Sequence, residues 1–503
     1  MNRRRLLVSA AAVAGTGGAI WWAGRTARVA TGQMPEMNMS GGTAALAERI
    51  RDLPIGAPLP EFVRLGNTSS QPGMFEAVIE AGLTNHEFKP GVATPVLAYN
   101  GALPGAMIDV VEGDRFKATF RNRIPDQPST IHWHGLEIPA DQDGNPMDPI
   151  ESGAERIYEF TVPIGTAGSY WYHPHPHGLT AEQVYRGLAG PFIVRAKSDP
   201  LPAELGDTIL FVTAVSLDAG GTIAENTEAD KFNGREGDHV LVNGVKQPVL
   251  TLPPGSSRRF RVYNATNGRF LRLAFEGHEM TLVGTDGGLL AAPVKGLKEL
   301  LLASAERAEI VVDFRAEAGR VALVSLPYER GWMGGGKPAP ETLSLMTVTL
   351  DNAAVSPIAL PARLRDIPAL GEPVARKRIE LGENMGMANG AMTMGFLIDG
   401  KSFDMNRVDL RSRVGEVELW EIFNATDMDH PTHIHGTQFQ IVERERGGRA
   451  VSESFLAWKD SINIASKETV RIKVRQTMPG RRMYHCHILE HENAGMMGML
   501  DVA

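Results

Sequence analysis

The chain has 503 residues, a length that at roughly 150 residues per domain predicts about three domains. Hydrophobic residues make up 43% and charged residues 22%, the balance of a soluble globular protein and not of a disordered or polytopic membrane chain. Asp and Glu (59) outnumber Lys and Arg (51), the net charge is −8, and no basic run follows residue 30, which together argue against nucleic acid as a partner.

The N-terminal residues have the pattern of an export signal. Arg3-Arg4-Arg5-Leu6-Leu7 precedes an Ala/Gly/Val-rich stretch that ends at Trp21-Trp22. We therefore expect residues 1–30 to engage the twin-arginine export machinery and the mature chain to be periplasmic. The stretch of about 18 residues is also near the lower limit for a membrane span, so an uncleaved anchor is the alternative. Residues 31–70 are rich in Gly, Pro and Met and predict an extended arm.

A repeat divides the rest of the chain. Gly (54) and Pro (32) are abundant, which favours short strands joined by turns. Three turn signals recur, and each is followed by a stretch of alternating apolar and polar residues that reaches an Asn. The signals are Tyr99-Asn100-Gly101, Val242-Asn243-Gly244 and Ile398-Asp399-Gly400, and the stretches end at Asn122, Asn264 and Asn424. The pattern predicts three related β-sandwich units, over residues 71–200, 201–360 and 361–503.

The 14 histidines are concentrated in pairs separated by one residue. The five pairs are His132/His134, His173/His175, His175/His177, His433/His435 and His485/His487. Residues i and i+2 of a strand project from the same face, so each pair presents two imidazoles side by side. A buried histidine is more often a core residue, but this many pairs predict metal binding.

Cys486 is the only cysteine, so no intramolecular disulfide can form. It lies between His485 and His487 and should face away from both. A thiolate with imidazoles and a weak thioether is the ligand set of a blue-copper site, and His430, His491 and Met496 can complete that set.

Four segments resemble the copper motifs of the multicopper oxidases, in particular three-domain bacterial laccases and copper-tolerance cuprous oxidases. They are His132-Trp133-His134-Gly135, Trp171-Tyr172-His173-Pro174-His175, His430-Pro431-Thr432-His433-Ile434-His435-Gly436 and His485-Cys486-His487-Ile488-Leu489-Glu490-His491 through Met496. The resemblance implies an all-β fold of three cupredoxin-like Greek-key β-sandwich domains and four copper ions, with a trinuclear cluster between the first and third domains.

The resemblance also implies which residue binds which copper. Type 1 copper would take His430, Cys486, His491 and axial Met496; type 2 copper would take His132 and His433; and the type 3 pair would take His134, His173, His175, His435, His485 and His487. His177 has no place in this set. Asp143 and Glu492 match the positions of acids that deliver protons to reduced oxygen; ordinary surface carboxylates are the alternative.

Methionines suggest the electron donor. Met385, Met387, Met392 and Met394 lie in a Gly-rich stretch, outside any recognised helical or strand period, while Asp427 and Met428 precede His430. Thioethers select Cu(I), so we expect a periplasmic oxidase that takes electrons from Cu(I) and reduces dioxygen to water. The methionines could instead be flexible packing residues, and no long Met-rich insertion is present. A laccase-like oxidase of phenols or aromatic amines and a non-enzymatic scaffold are the alternatives.

Overall fold

The computed structural model describes residues 48–335, 337–388 and 391–503, with the side chains of residues 387–393 left out. Six sheets fall into three consecutive pairs along the chain. Each pair encloses its own hydrophobic core, to which both of its sheets contribute residues. The expected all-β fold of three sandwiches is confirmed.

The first unit comprises eight strands. They are β1 Met74–Lys89, β2 Val92–Tyr99, β3 Ile108–Val111, β4 Arg115–Arg123, β5 His132–His134, β6 Glu155–Thr161, β7 Gly168–His173 and β8 Gly190–Arg195. The sheet orders are β2-β1-β4-β6 and β3-β8-β7-β5. The 3₁₀ turn Ala140–Gln142 and helix α1 Thr180–Tyr185 lie between strands.

The second unit has eleven strands. They are β9 Thr208–Val215, β10 His239–Val242, β11 Val249–Leu252, β12 Ser257–Asn264, β13 Leu271–Phe275, β14 Met280–Thr285, β15 Gly288–Leu297, β16 Leu300–Leu302, β17 Arg307–Asp313, β18 Gly319–Leu326 and β19 Leu343–Leu350. Its sheets run β10-β9-β12-β17-β14-β15 and β11-β19-β18-β13-β16. A 3₁₀ turn, Ala203–Leu205, precedes β9, and helix α2 covers Glu228–Asn233.

The third unit also has eleven strands. They are β20 Ala375–Ala388, β21 Ala391–Ile398, β22 Leu410–Ser412, β23 Val417–Asn424, β24 His430–Ile434, β25 Phe439–Arg446, β26 Arg449–Ser452, β27 Ser461–Ile464, β28 Glu468–Arg475, β29 Gly480–Cys486 and β30 Met497–Val502. Its sheets run β21-β20-β23-β28-β25-β26 and β22-β30-β29-β24-β27. Helix α3, Leu489–Asn493, lies between β29 and β30.

The repeat seen in the sequence has the same structural role in each unit. Asn100, Asn243 and Asp399 adopt φ of 50°, 53° and 52°, the left-handed conformation that such turns require. At the strand ends, the buried Asn122, Asn264 and Asn424 amides each donate to two backbone carbonyls. One buried side chain thus satisfies two backbone acceptors at equivalent corners of all three sandwiches.

The alternation of apolar and polar residues explains why the stretches that follow the turns contain strands. In β4, Phe116, Ala118 and Phe120 are buried in the first core, and the residues between them are only half-buried. The predicted units 71–200, 201–360 and 361–503 contain the three pairs of sheets, and their exact boundaries stay predictions.

The segment before β1 lies along the first two units. Isolated bridges join Arg49, Ile55 and Pro58 to the second unit and Arg64 to the first. Residues 1–30, with the predicted signal, and residues 31–47 of the predicted arm lie outside the described residues. In the part of the chain that is described, no helix combines the length and the apolar character needed to cross a membrane.

Candidate copper centres

The first centre is formed by β24, β29 and α3. Cys486 Sγ lies 3.4 Å from His430 Nδ1 and 3.9 Å from His491 Nδ1, and the two imidazole nitrogens are 3.3 Å apart. All three side chains are fully buried. Met496 is buried in the same core cluster and its carbonyl accepts the Cys486 N–H. The residues predicted to hold type 1 copper are therefore brought together.

The imidazole of His491 is enclosed on two sides. Its Nε2 lies 3.0 Å from the Phe232 carbonyl of α2, which places the proton on that nitrogen and leaves Nδ1 for a metal. The Phe396 ring of β21 stacks on the imidazole, with centroids 3.8 Å apart. The second unit therefore covers one edge of His491, a contact that no sequence pattern indicated.

The second centre is formed where β5 and β7 of the first unit meet β24 and β29 of the third. Eight fully buried histidines converge there: His132, His134, His173, His175, His433, His435, His485 and His487. His132 pairs with His173 across one sheet and His433 with His485 across the other. Four of the five pairs predicted from the sequence point into this site, and the fifth contributes only His175, while Trp133 and Cys486 point into the opposite cores. His177 is exposed and lies outside it.

Distances divide the eight into three groups. His132 Nε2 is 3.3 Å from His433 Nε2, and His134 Nδ1 is 3.3 Å from His173 Nε2. His485 Nε2 lies 3.2 Å from His175 Nε2 and 3.1 Å from His435 Nε2. The rings of His487 and His134 are 5.0 Å apart. The eight residues predicted to hold type 2 and type 3 copper are therefore brought together, and their assignment to individual ions stays a prediction.

Hydrogen bonds set which nitrogen faces the site. Five imidazoles hold Nδ1 within 2.8–3.0 Å of an oxygen: His132, His173, His433, His435 and His485. Each of these presents Nε2 to the centre. His134 is reversed, because its Nε2 lies 3.1 Å from Asp460 Oδ1 and its Nδ1 faces His173.

The donor set fits copper. Burial lowers the pKa of His134, His173 and His175, as it does for four of the other cluster histidines, which keeps the imidazoles neutral. Among the described residues, the buried Nδ1 of His175 and both ring nitrogens of His487 have no hydrogen-bond partner. Unpaired buried nitrogens are costly, and ligation removes that cost. Burial also raises the pKa of the Cys486 thiol, so a bound cation is needed to hold the thiolate.

Asp143 contacts two cluster histidines. Its Oδ2 lies 3.0 Å from His435 Nδ1 and its Oδ1 3.1 Å from His132 Nδ1, and the carboxylate is buried. It follows the 3₁₀ turn Ala140–Gln142, which packs against β29. The contacts indicate that Asp143 orients imidazoles; its predicted part in proton delivery stays a prediction.

Glu492 on α3 is the second predicted acid. Its Oε2 lies 3.3 Å from His485 Nδ1 and its Oε1 3.6 Å from His175 Nε2. Burial, reinforced by the nearby Glu490 carboxylate, raises the pKa of Glu492 to about 8. It is not a surface carboxylate, and at neutral pH it can hold a proton beside the cluster.

Asp460 is a site residue that the sequence analysis did not identify. Its Oδ1 lies 3.1 Å from His134 Nε2, and its carbonyl lies 2.8 Å from His433 Nδ1. Arg307 of the second unit binds its carboxylate through two nitrogens. A lone Asp after a Lys carries no motif, so only the packing of the units identifies it.

The predicted methionine segment is a β-hairpin, so the expectation that it lies outside any strand period was wrong. Met385 pairs with Met394 and Met387 with Met392 across β20 and β21. Met385 is 70% exposed, whereas Met394 is 5% exposed and packs in the core that contains Cys486. The side chains of Met387 and Met392 lie outside the described ones.

Asp427 and Met428, which precede His430, differ in their exposure to solvent. Asp427 is exposed and lies 2.9 Å from Lys467 Nζ. Met428 is fully buried, so its thioether is not open to a substrate ion in solvent. Its burial follows from its position at the turn that the Asn424 amide holds.

Three sequence profiles, each described as multicopper oxidase, match residues 80–199, 214–330 and 379–503. The chain is 34% identical to the multicopper oxidase mco of Staphylococcus aureus, over 83% of this chain and 86% of the other. It is 29% identical to a laccase of Bacillus subtilis, over 88% and 97% of the two chains. A solved multicopper oxidase from Campylobacter jejuni, titled a metallo-oxidase, superposes with a TM-score of 0.84 at 39% identity, over 91% and 98% of the chains.

Proposed function

The chain belongs to the multicopper oxidase family, and we propose that it oxidises Cu(I) at the Cys486 centre and reduces dioxygen to water at the eight-histidine centre. Members of this family are copper-dependent oxidases that use dioxygen and a reducing substrate. The observation that carries the proposal is the His485-Cys486-His487 segment, which contributes its sulfur to one donor set and its two imidazoles to the other.

Four copper ions would fit these donors. Type 1 copper would be held by His430, Cys486, His491 and Met496; type 2 copper by His132 and His433; and the type 3 pair by His134, His173 and His487 together with His175, His435 and His485. Copper bound there would supply the one-electron chemistry that joins a single-electron donor to the four-electron reduction of dioxygen.

The protein contributes orientation, protons and exclusion of water. Asp143 and Asp460 hold imidazoles in the tautomer that frees one nitrogen for ligation. Glu492, beside His175 and His485, would hold one of the protons that the reduction of dioxygen consumes. Full burial of the eight histidines keeps their lone pairs from water.

Cu(I) is favoured as the donor by the surroundings of His491. The carbonyl of Phe232 and the ring of Phe396 cover the imidazole, so a phenol has no open edge to touch. The β20–β21 hairpin, which contains Phe396, also carries Met385, whose exposed thioether is a soft ligand. The similar Campylobacter jejuni multicopper oxidase is a metallo-oxidase, which supports this choice.

Oxygen uptake with Cu(I) and with a phenol tests the donor. Met385, Met387, Met392 and Met394 are replaced together by Leu, which keeps the apolar volume and removes the sulfur. We expect the KM for Cu(I) to rise at least tenfold with phenol kcat/KM unchanged. A matched control replaces Met280 and Met346, which are buried in the second core, by Leu. Equal loss on both donors, or no loss on Cu(I), rejects Cu(I) as the donor.

Laccase-like oxidation of phenols is the alternative, supported by the Bacillus subtilis relative. It predicts phenol turnover that exceeds Cu(I) turnover in the unmodified protein. A non-enzymatic scaffold predicts a copper-loaded protein that is colourless and consumes no oxygen. The complete donor set argues against a scaffold.

For localisation, we propose export by the twin-arginine route to the periplasm, in keeping with a role in copper tolerance. The proposal rests on Arg3-Arg4-Arg5 and the apolar stretch after it. Replacing Arg4 and Arg5 by Lys should leave the protein in the cytoplasmic fraction, and unchanged export would reject the route.

A further inference from the structure

Arg307 of the second unit reaches a cluster to which its own unit gives no histidine. It is 1% exposed, and its Nη1 and Nη2 bind the two Asp460 oxygens at 2.7 and 2.6 Å. Such a bidentate pair fixes the plane as well as the position of a carboxylate. Asp460 Oδ1 in turn lies 3.1 Å from His134 Nε2.

The guanidinium is itself held by its neighbours. Its Nε donates to the Ser169 carbonyl on β7 of the first unit, and its Nη2 to the Asp286 carbonyl of the second. The Asp286 carboxylate accepts the Arg307 backbone N–H and pairs with Lys459 at 2.7 Å. Arg307 therefore bonds to all three units at one point.

The backbone beside His134 is shaped for this ion pair. Gly135 has a φ of +91°, and a Cβ there would collide with Asp460 Oδ2 and Arg307 Nη2. Gly135, which follows the predicted ligand His134, is therefore required both by its positive φ and by the lack of space for a Cβ. The ion pair occupies the space that a side chain would fill.

His134 differs from the other histidines in the direction of its imidazole, and its Nε2 lies 3.1 Å from both Asp460 Oδ1 and Ser461 Oγ. It is reversed, with Nδ1 towards His173, so the proton must sit on Nε2. Five other cluster imidazoles hold their proton on Nδ1 against an adjacent oxygen. A rotated or displaced Asp460 carboxylate would remove the only charged acceptor that His134 has among the described residues.

We infer that Arg307 is a positioning residue for the trinuclear centre: through Asp460 it holds His134 in the orientation that presents Nδ1 to the metal. The second unit thereby acts on the cluster geometry without supplying a ligand. The inference rests on the proposed copper cluster and extends it to a residue outside the two ligand-bearing units.

The test uses the full copper-loaded protein and compares Arg307→Met with Arg259→Met. Arg259 is a matched control, since it is also buried and binds a buried carboxylate oxygen, Glu309 Oε2, through two nitrogens, but Glu309 contacts none of the cluster histidines. The readouts are copper content, the visible band of the Cys486 centre, the near-ultraviolet band of the coupled copper pair and the electron paramagnetic resonance signal of the remaining cluster copper.

We expect Arg307→Met to retain the visible band, to alter or lose the cluster signals and to lower oxygen turnover at least tenfold, while Arg259→Met changes neither spectrum. Unaltered cluster signals in Arg307→Met, or the same alteration in Arg259→Met, would overturn the inference. If Arg307→Met does not fold, Arg307→Lys decides, because it keeps the charge and loses the bidentate geometry. A cluster signal that is shifted in Arg307→Lys supports the inference, and a signal that is unshifted in this variant overturns it.

Failure of the proposed function has a different signature. Unmodified protein that shows no cluster signal after copper loading would refute the cluster itself. Unmodified protein with normal cluster signals, together with an unaffected Arg307→Met, refutes only the role of Arg307.

Discussion

At the scale of single residues, one side chain separates the two centres. The Cys486 sulfur points into the third core beside His430 and His491, while its neighbours in sequence point into the cluster. Alternation along β29 separates His485 from Cys486, and the bend after the strand turns His487 towards the cluster. The roles of the two centres can therefore be tested separately by changing one atom.

Cys486→Ser should abolish the intense visible band and lower oxygen uptake at least a hundredfold, because a serine hydroxyl does not replace the thiolate as a ligand. The near-ultraviolet band of the coupled pair should persist, since His485 and His487 are unchanged. Visible absorption and oxygen uptake, measured on copper-loaded protein, check this. A variant that stays blue and active would refute the assignment.

Glu492→Gln should lower kcat by roughly a hundredfold or more, the contribution of one positioned proton donor, with the KM for the donor unchanged. Glu490→Gln is the matched control, because Glu490 is buried on the same helix but is bound by Asn267 and the Arg235 N–H. Similar losses in both variants would show that α3 is merely disturbed.

At the scale of elements, the short helix α2 covers one edge of His491 through the Phe232 carbonyl. A capping box between Thr227 and Asp230 holds its first turn, and the Arg330 guanidinium donates to the Asn233 carbonyl at its end. Both ends of the six-residue helix α2, which covers His491, are thus held by side-chain hydrogen bonds.

Removing the capping box with Thr227→Ala and Asp230→Ala should cost about 1–2 kcal/mol of helix stability. The looser helix should expose His491 and raise kcat/KM for a phenol severalfold, with Cu(I) turnover in the same variant as the internal control. Steady-state oxygen uptake with the phenol and with Cu(I) measures the two rates. An unchanged phenol rate would show that α2 does not limit access.

The elements also show what the sequence could predict and what it could not. His132 and His134 were recognisable because strand period is local, and so were the turns at Asn100 and Asn243. Met385 and Met387 follow the same strand period, but the glycines around them are uncommon in strands, so the hairpin was not recognised. Arg307 and Asp460 lie 153 residues apart, and their contact exists only once two units have packed.

At the scale of the whole molecule, ion pairs join the units. Asp207, just before β9, is bound by Arg261 of its own unit and by Arg195 of the first. Although burial opposes it, the two guanidinium groups lower the pKa of Asp207 from its ordinary 3.8 to about 2. A carboxylate with a depressed folded-state pKa stabilises the fold above its unfolded pKa, and this contribution is lost as the pH falls.

Asp207→Asn should therefore lower the free energy of unfolding by about 2 kcal/mol at pH 7, the value of a shift of nearly two pKa units. The difference from the unmodified protein should shrink between about pH 4 and pH 2, where Asp207 takes up its proton. Denaturant unfolding at several pH values checks this. A difference that is constant with pH would mean that the pairing is not electrostatic.

The cluster histidines come in equal numbers from the two outer units, and partners such as His175 and His485 stand 310 residues apart in the chain. During synthesis, the ribosome completes the first unit long before the other half of the site exists. Copper can therefore enter the cluster only after translation has passed residue 487 and the units have folded. A polypeptide interrupted before residue 485 would carry neither centre, however well its first two units fold.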